Sequence, residues 1–233
     1  MKIVVVGASG AIGSEIVKQL ADKGAEVYAL HRRGDVPTGE LITSIKVDIT
    51  DEKSVQAAAE KIGGELDGVI ITTGILHQDN LQPEKALKDI TAEHFAKVYA
   101  VNTIGVALVA KHFAPLLKRN EKAIFAAISA RVGSIQDNHL GGWYAYRMSK
   151  AALNMFIKTA SIEIARKYKK AVVVGLHPGT VDSNLSKPFQ GHVPEGKLFT
   201  PAYSAQKLLA VLENLDATQT GLVFDYDGKQ VPA

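Results

Sequence analysis

The chain of 233 residues has no cysteine, 27 Lys and Arg against 24 Asp and Glu, and 46% hydrophobic residues. That apolar fraction excludes a disordered chain, and the missing thiols exclude disulfides, thiolate metal sites and cysteine nucleophiles, which leaves oxygen and nitrogen chemistry. A formal charge of +3 without a block of five or six like charges speaks against nucleic acid or a membrane surface as a partner.

In chain order, short β-branched apolar runs alternate with longer amphipathic stretches. The runs predict strands over Lys2 to Val6, Glu26 to His31, Ile42 to Val47, Gly68 to Thr72, Ala123 to Ser129, Ala171 to His177 and Leu222 to Tyr226. The stretches predict helices over Ile12 to Lys23, Lys53 to Ile62, Ala92 to Leu117, Trp143 to Tyr168 and Pro201 to Leu215. Continuous apolar strands between helices imply a parallel sheet covered on both faces, a Rossmann-type, doubly wound α/β/α domain. No linker divides the chain, so residues 1–233 read as one domain. No apolar run approaches the roughly eighteen residues of a membrane span, and Met1 to Val6 is too short for a signal peptide. The expectation is a cytoplasmic protein.

The first strand runs into GASGAIG, Gly7 to Gly13, and then into a helix. Such a turn lets the backbone approach a pyrophosphate, whose charge is met by the amides at the helix N-terminus; Gly7, Ser9, Gly10, Ile12 and Gly13 are the expected contacts. The second strand ends in His31, Arg32 and Arg33. An acid there would bind a free ribose 2′-hydroxyl, whereas arginine accommodates a 2′-phosphate, so NADP(H) is favoured over NAD(H). Solvated loop charges are the alternative for both arginines. Asp48, at the end of the third strand, is placed either to bond adenine or to cap the following helix.

Tyr146 and Lys150 stand four apart in YAYRMSKAALNMF and so share a helix face. An ammonium beside a phenol lowers its pKa towards the working pH, which suits Tyr146 to act as acid and base on a carbonyl oxygen. Seven scattered histidines, with no pair at ligand spacing, predict no metal site.

With these motifs in order, the chain resembles the short-chain dehydrogenase/reductase family in its compact single-domain form. The resemblance spans GASGAIG, the turn Thr72, Thr73, Gly74, Asn102 in VYAVNTIG, AISARVGSI, YRMSK, HPGTVDS from His177 and TGLVFDYDG from Thr220. The run GSIQDNHLGGWYAYRMSKAALN further resembles the branch of C-factor-like proteins. The resemblance implies an oxidoreductase acting on a small carbonyl or alcohol. Tyr146 is then the proton donor, Lys150 holds the nicotinamide ribose, and Asn102 fixes a water leading to Lys150. Pro178, Gly179, Thr180 and Val181 line the carboxamide. A homodimer or homotetramer through the helices of Ala92 to Leu117 and Ala151 to Ile164 is also implied, with Phe113, Leu116 and Met155 as core residues in the alternative.

Three departures from the family pattern stand out. Ala11 replaces the usual middle glycine, and Thr72-Thr73-Gly74 replaces Asn-Asn-Ala-Gly. Measured back from Gly133, Ala130 occupies the place of the usual active-site serine, with Ser129 one residue earlier. Strand alternation points Ser129 away from Tyr146 unless a bulge turns it back. Ser129, then Ser134, then no serine is the order of expectation, and Asn138 and His139 are further candidate donors in the Gly133 to Gly142 loop. Trp143 and Tyr144 face either substrate or core, and residues 183–200 read as a substrate loop or an inert surface segment. Ala130 also motivates a rival reading, a non-catalytic NADP(H)-binding protein for redox sensing or signalling.

Overall fold

The computed structural model describes residues 1–78 and 81–232. Seven strands form one parallel sheet: β1 (Lys2–Val6), β2 (Glu26–His31), β3 (Ile42–Lys46), β4 (Gly68–Ile71), β5 (Ala123–Ile128), β6 (Ala171–His177) and, last in the chain, β9 (Val223–Asp225). Their order is β3-β2-β1-β4-β5-β6-β9, which reverses direction between β1 and β4. Two further strands, β7 (Thr180–Val181) and β8 (Leu198–Phe199), make a separate parallel pair beyond the end of β6. The helices are α1 (Ala11–Asp22), α2 (Glu52–Ile62), α3 (Ala92–Tyr99), α4 (Gly105–Phe113), α5 (Tyr144–Lys167) and α6 (Pro201–Asn214).

Period-two alternation divides β1 between two cores. Val4 and Val6 join Val55, Val109, Phe113, Leu153 and Ile157 under α2, α4 and α5, whereas Ile3 and Val5 join Ile16, Val17, Leu208 and Leu212 under α1 and α6. Both faces of the central strands are therefore covered by helices. Phe113 is fully buried and Leu116 packs against the same core, but Met155 is exposed on α5. Among the described residues, no helix is long and apolar enough to cross a membrane.

The helix expected over Ala92 to Leu117 is not continuous. A π-helical turn, Ala100–Ile104, separates α3 from α4, and a 3-10 turn, Ala114–Leu116, follows α4. Such turns occur where a side chain must be set outside the α-helical stagger, frequently at functional sites. Here the wide turn carries Asn102, which is fully buried and bonded to two other segments.

Candidate active site

The reversal between β1 and β4 opens a crevice beyond the carboxyl ends of the strands, the usual ligand position in such sheets. At the end of β1 the chain turns through Gly7, whose φ is +88°; a Cβ there would meet Thr72 Oγ1 at 2.7 Å and Thr73 N at 3.0 Å. Gly7 O accepts from Gly10 N (2.9 Å), and a Cβ on Gly13 would run into that same carbonyl. Gly10 is the N-cap of α1 and supplies no capping side chain, and the first turn has no acid. The free N–H groups of that turn thus belong to a crevice lined by Ser9, Gly10, Ala11, Ile12 and Gly13, which fits a pyrophosphate.

The turn after β4 is braced without the asparagines usual there. Thr72 Oγ1 donates to Val6 O (2.9 Å) and Gly7 O (3.1 Å), tying β4 to the glycine turn. The Thr73 hydroxyl is buried and has no partner among the described residues, so it is open to a ligand group in the crevice it lines.

A cavity of about 250 Å³ continues past this turn to His31, Arg32, Arg33, Asp48 and Thr50. His31 Nε2 is engaged by Ser44 Oγ (2.9 Å), and Arg32 Nη1 lies 3.8 Å from Asp48 Oδ2. Asp48 does not cap α2; that role falls to Asp51, whose side chain accepts from Lys53 N. Asp48 Oδ1 instead accepts from the amide (2.9 Å) and hydroxyl (2.7 Å) of Thr50. Partial burial works against its charge, but these bonds and the Arg32 and Arg33 charges outweigh it and hold the carboxyl below the ordinary range.

In the other direction a cavity of about 480 Å³ brings Thr72 to Gly74 together with Ser129, Ala130, Val132, Trp143, Tyr146, Lys150 and Pro178 to Val181. Gly179 has φ +75° and no room for a side chain against the Phe199 ring of β8, and Pro178 O accepts from Ser204 Oγ on α6 (2.9 Å). Tyr146 and Lys150 rise from one face of α5, with Nζ 5.8 Å from the phenol ring centre. Lys150 Nζ donates to Ile128 O (2.7 Å). The expectation of a lowered phenol is not met. Tyr146 reaches the cavity, yet so much protein surrounds it that desolvation pushes its phenol up to about 12; the same cause pushes Lys150 down to about 8.

Asn102 sits behind this pair. Its Oδ1 accepts from Ile75 N (2.8 Å), and its Nδ2 donates to Ile75 O (2.9 Å) and Ser149 Oγ (3.1 Å), so both amide hydrogens are engaged. Thr103 Oγ1 donates to Ser149 O (2.9 Å). The π turn thereby fastens the segment after β4 to the middle of the YRMSK turn.

Of the candidate hydroxyl and amide donors, only Ser129 lines the cavity; Ser134, Asn138 and His139 do not. The ladder between β5 and β6 runs without a bulge to Ile128 and Leu176, and Ser129 N continues it to Leu176 O (2.8 Å). No bulge therefore turns Ser129 within that ladder, and its hydroxyl donates to Asn154 Oδ1 on α5 (2.6 Å), one helical turn beyond Lys150. Ser134 Oγ accepts from Asp137 N (3.1 Å), and Asn138 Oδ1 accepts from Gly141 N (3.1 Å) within their loop. Where the family places a serine, the cavity wall is the methyl of Ala130.

Two aromatic residues complete the wall. Trp143 stands edge-on to Tyr146 (6.2 Å between centres) and to Phe189 (4.9 Å), which rides on a 3-10 turn, Lys187–His192. Phe189 also meets His77 (5.7 Å), whose Nε2 lies 3.0 Å from Asn184 O. The 183–200 segment is thus folded over the cavity at Ser183, Asn184, Leu185, Ser186, Phe189 and Val193. Tyr144 does not line it. Phe189 has no periodic signal in the sequence, since it belongs to neither strand nor long helix. Glu84 is the other residue not anticipated: its Oε2 accepts from Ala145 N at the start of α5 (3.1 Å). The absence of any Ser, Thr, Asp or Asn just before α5 is the one sequence signal that its cap comes from elsewhere.

Comparison with known proteins agrees with this arrangement. A family model described as "short chain dehydrogenase" matches residues 1–193. The chain is 31% identical over 231 residues to 1-hydroxy-2-glutathionyl-2-methyl-3-butene dehydrogenase of Rhodococcus sp. (strain AD45), covering 97% of this chain and 96% of that protein. It is 34% identical over 147 residues to the C-signal protein of Myxococcus xanthus, covering 63% and 83% of the two chains. Among solved structures, NADPH-bound carbonyl reductase from chicken fatty liver superposes with a TM-score of 0.84 at 26% identity, covering 100% of this chain and 94% of the other.

Proposed function

The chain belongs to the short-chain dehydrogenase family, and from that premise we propose that it is an NADP(H)-dependent carbonyl reductase, or the alcohol dehydrogenase of the reverse reaction. The observation that carries this reading is the single crevice joining the glycine turn to Tyr146 and Lys150. The dinucleotide, when bound, supplies or accepts the hydride. Gly7, Ser9, Gly10, Ile12 and Gly13 hold its pyrophosphate, Arg32 and Arg33 its 2′-phosphate, and Asp48 its adenine. Thr72, Thr73, Gly74 and Pro178 to Val181 line the nicotinamide end. Tyr146, held protonated by burial, donates its phenolic proton to the carbonyl oxygen as the alcohol forms, and takes it back in oxidation. Lys150 holds the nicotinamide ribose, and Asn102 keeps the lysine's surroundings rigid.

The substrate end is lined mostly by apolar and aromatic groups, Leu76, Val132, Trp143, Leu185 and Phe189 among them, so a small uncharged carbonyl compound is the fitting substrate. Met148, Met155 and Ile162 are exposed at seven-residue spacing on α5, which supports a homodimer or homotetramer built on that face. NADPH with a panel of aldehydes and ketones tests the reading through loss of nicotinamide absorbance. Silence across the panel, with tight NADPH binding by calorimetry, supports instead a non-catalytic redox-sensing or signalling protein. The methyl of Ala130 and the engaged Ser129 hydroxyl are the observations that favour that second reading.

A further inference from the structure

We infer that Glu84 is a positioning residue for Tyr146, acting through the first turn of α5; the inference rests on the reading of Tyr146 as proton donor. The start of α5 has no local cap. Its N-cap is Trp143, whose side chain bonds no helix amide, and the first turn contains no acid. The backbone of Trp143 is left-handed, with φ +50°, a conformation that is strained for a non-glycine residue and persists only where the surroundings enforce it. The indole is not free to be replaced by a capping serine or aspartate, because it walls the cavity between Tyr146 and Phe189.

Glu84 supplies what is missing from 61 residues upstream. Its backbone carbonyl accepts from Trp143 N (2.6 Å) and its Oε2 accepts from Ala145 N (3.1 Å). One residue thus grips both positions that lead into Tyr146. The side chain is 2% exposed, a costly place for a carboxylate unless charge and hydrogen bonds compensate. The amides at the helix N-terminus compensate on one side. On the other, Oε1 lies 3.1 Å from His94 Nδ1 on α3, within ion-pair distance, and has no hydrogen-bond partner among the described residues. Ala145 itself is buried against Leu81 and Val98, so the grip is set in a small core of its own.

One turn further on, Asn102 and Thr103 fasten Ser149. Tyr146 is therefore held between two clamps, and the Glu84 clamp sets where the first turn stops. Loss of a cap that only stabilised the helix would lower stability and leave turnover alone. A positioning residue must move kcat.

The test compares Glu84→Ala and Glu84→Gln in the full chain, using a carbonyl compound that the wild type reduces with NADPH. Glu84→Ala is expected to lower kcat about tenfold or more while KM and NADPH affinity stay within about twofold, because small displacements of a reacting group are felt mainly in the transition state. Glu84→Gln, whose amide oxygen can still accept from Ala145 N, is expected to keep most of the rate. In a Tyr146→Phe background Glu84→Ala should change the residual rate by less than about twofold, as expected of residues acting as a unit. Equal losses in both backgrounds, or a folded Glu84→Ala variant with wild-type kcat, overturn the inference. If Glu84→Ala does not fold, Glu84→Asp carries the comparison: one methylene shorter, it should lose rate where Glu84→Gln keeps it, and wild-type kcat in Glu84→Asp overturns the inference. Hydrogen exchange of the peptide holding Trp143 to Arg147 reads the clamp without turnover. Faster exchange there in Glu84→Ala, with the last turns of α5 unchanged, is expected, and unchanged exchange overturns the clamp. A wild type silent on every carbonyl compound overturns the reductase reading, and the exchange result still decides whether Glu84 holds the turn.

Discussion

The two ends of the crevice are built on different principles. The proposed phosphate end is made of backbone: Gly7, Gly10 and Gly13 bring amides and a helix terminus to one place within seven consecutive residues. The proposed catalytic end is made of side chains delivered by segments scattered along the chain, from the turn after β4 through the π turn, β5, α5 and β6 to the 183–200 segment. A backbone site tolerates side-chain change as long as the chain can turn, as Ala11 and the Thr72 brace illustrate. A side-chain site depends on every segment that aims it.

The sharpest separation of the two ends is expected from Tyr146→Phe. Removing a positioned proton donor costs about 10²- to 10⁴-fold in rate. No group at the phosphate end touches that hydroxyl, so calorimetric NADPH affinity should be that of the wild type. A variant that keeps full turnover, or one that loses turnover and binding together, would break the division between a binding end and a catalytic end.

This contrast also decides what could be read without a structure. The bounds of β1, β2 and β6 coincide with their apolar runs, because strands buried on both faces admit few polar residues and the pattern stops where the sheet stops. GASGAIG was equally legible, since local sequence alone makes that turn. The break of Ala92 to Leu117 was not, because apolar periodicity continues through Ala100–Ile104 while the hydrogen-bond pattern changes beneath it. Strand alternation along β5 is legible too, and the ladder to β6 runs without a bulge to Ile128. Glu84 and Phe189 act across 61 and 46 residues on Ala145 and Trp143, contacts for which no local pattern exists.

Burial supplies the next largest effect, and it also belongs to the catalytic end. Lys150 is pushed down to about 8 from 10.5, so below pH 8 the folded chain carries the full cost of a desolvated ammonium. Between about 8 and 10.5 the unfolded chain binds more protons than the folded one, and stability rises with pH by about 1.4 kcal/mol per unit. Tyr146 acts with the opposite sign, but only above its unfolded value of 10, because its folded value is raised. Urea unfolding of the wild type and Lys150→Met from pH 7.5 to 9.5 should show the wild type gaining about 2 kcal/mol on the variant. A constant difference across that range would mean that the lysine is not desolvated as the structure has it.

At the phosphate end the corresponding change is smaller and confined to binding. Arg32 and Arg33 line the cavity proposed for adenosine and are solvent-accessible, so on that reading each offers one charge-assisted contact to a 2′-phosphate. Losing such a bond costs about 1.5 kcal/mol, roughly tenfold in NADPH affinity for Arg33→Ala, with NADH affinity and kcat unchanged. Equal weakening of both cofactors would assign Arg33 to general attraction instead of 2′-phosphate recognition.

The smallest effect bears on the least regular part of the catalytic end, the adjacent pair Ser129 and Ala130. Ala130 is extended and Ser129 N continues the ladder to Leu176 O, so their side chains leave on opposite sides, and only Ser129 has a hydroxyl, which donates to Asn154. If Tyr146 works without a second donor, Ser129→Ala should change kcat by less than about twofold, because it removes a bond between β5 and α5 and leaves the reacting groups in place. Ala130→Ser puts a hydroxyl on the cavity wall beside Tyr146; since such donors stabilise developing oxyanion charge, kcat should rise severalfold, on the order of 1 kcal/mol, with NADPH affinity unaltered. A hundredfold loss of rate in Ser129→Ala with a native melting curve would instead make Ser129 the donor, and would require its hydroxyl to leave Asn154 during turnover. The two variants assayed side by side therefore distinguish a site that does without the serine from one that has moved it by a single residue.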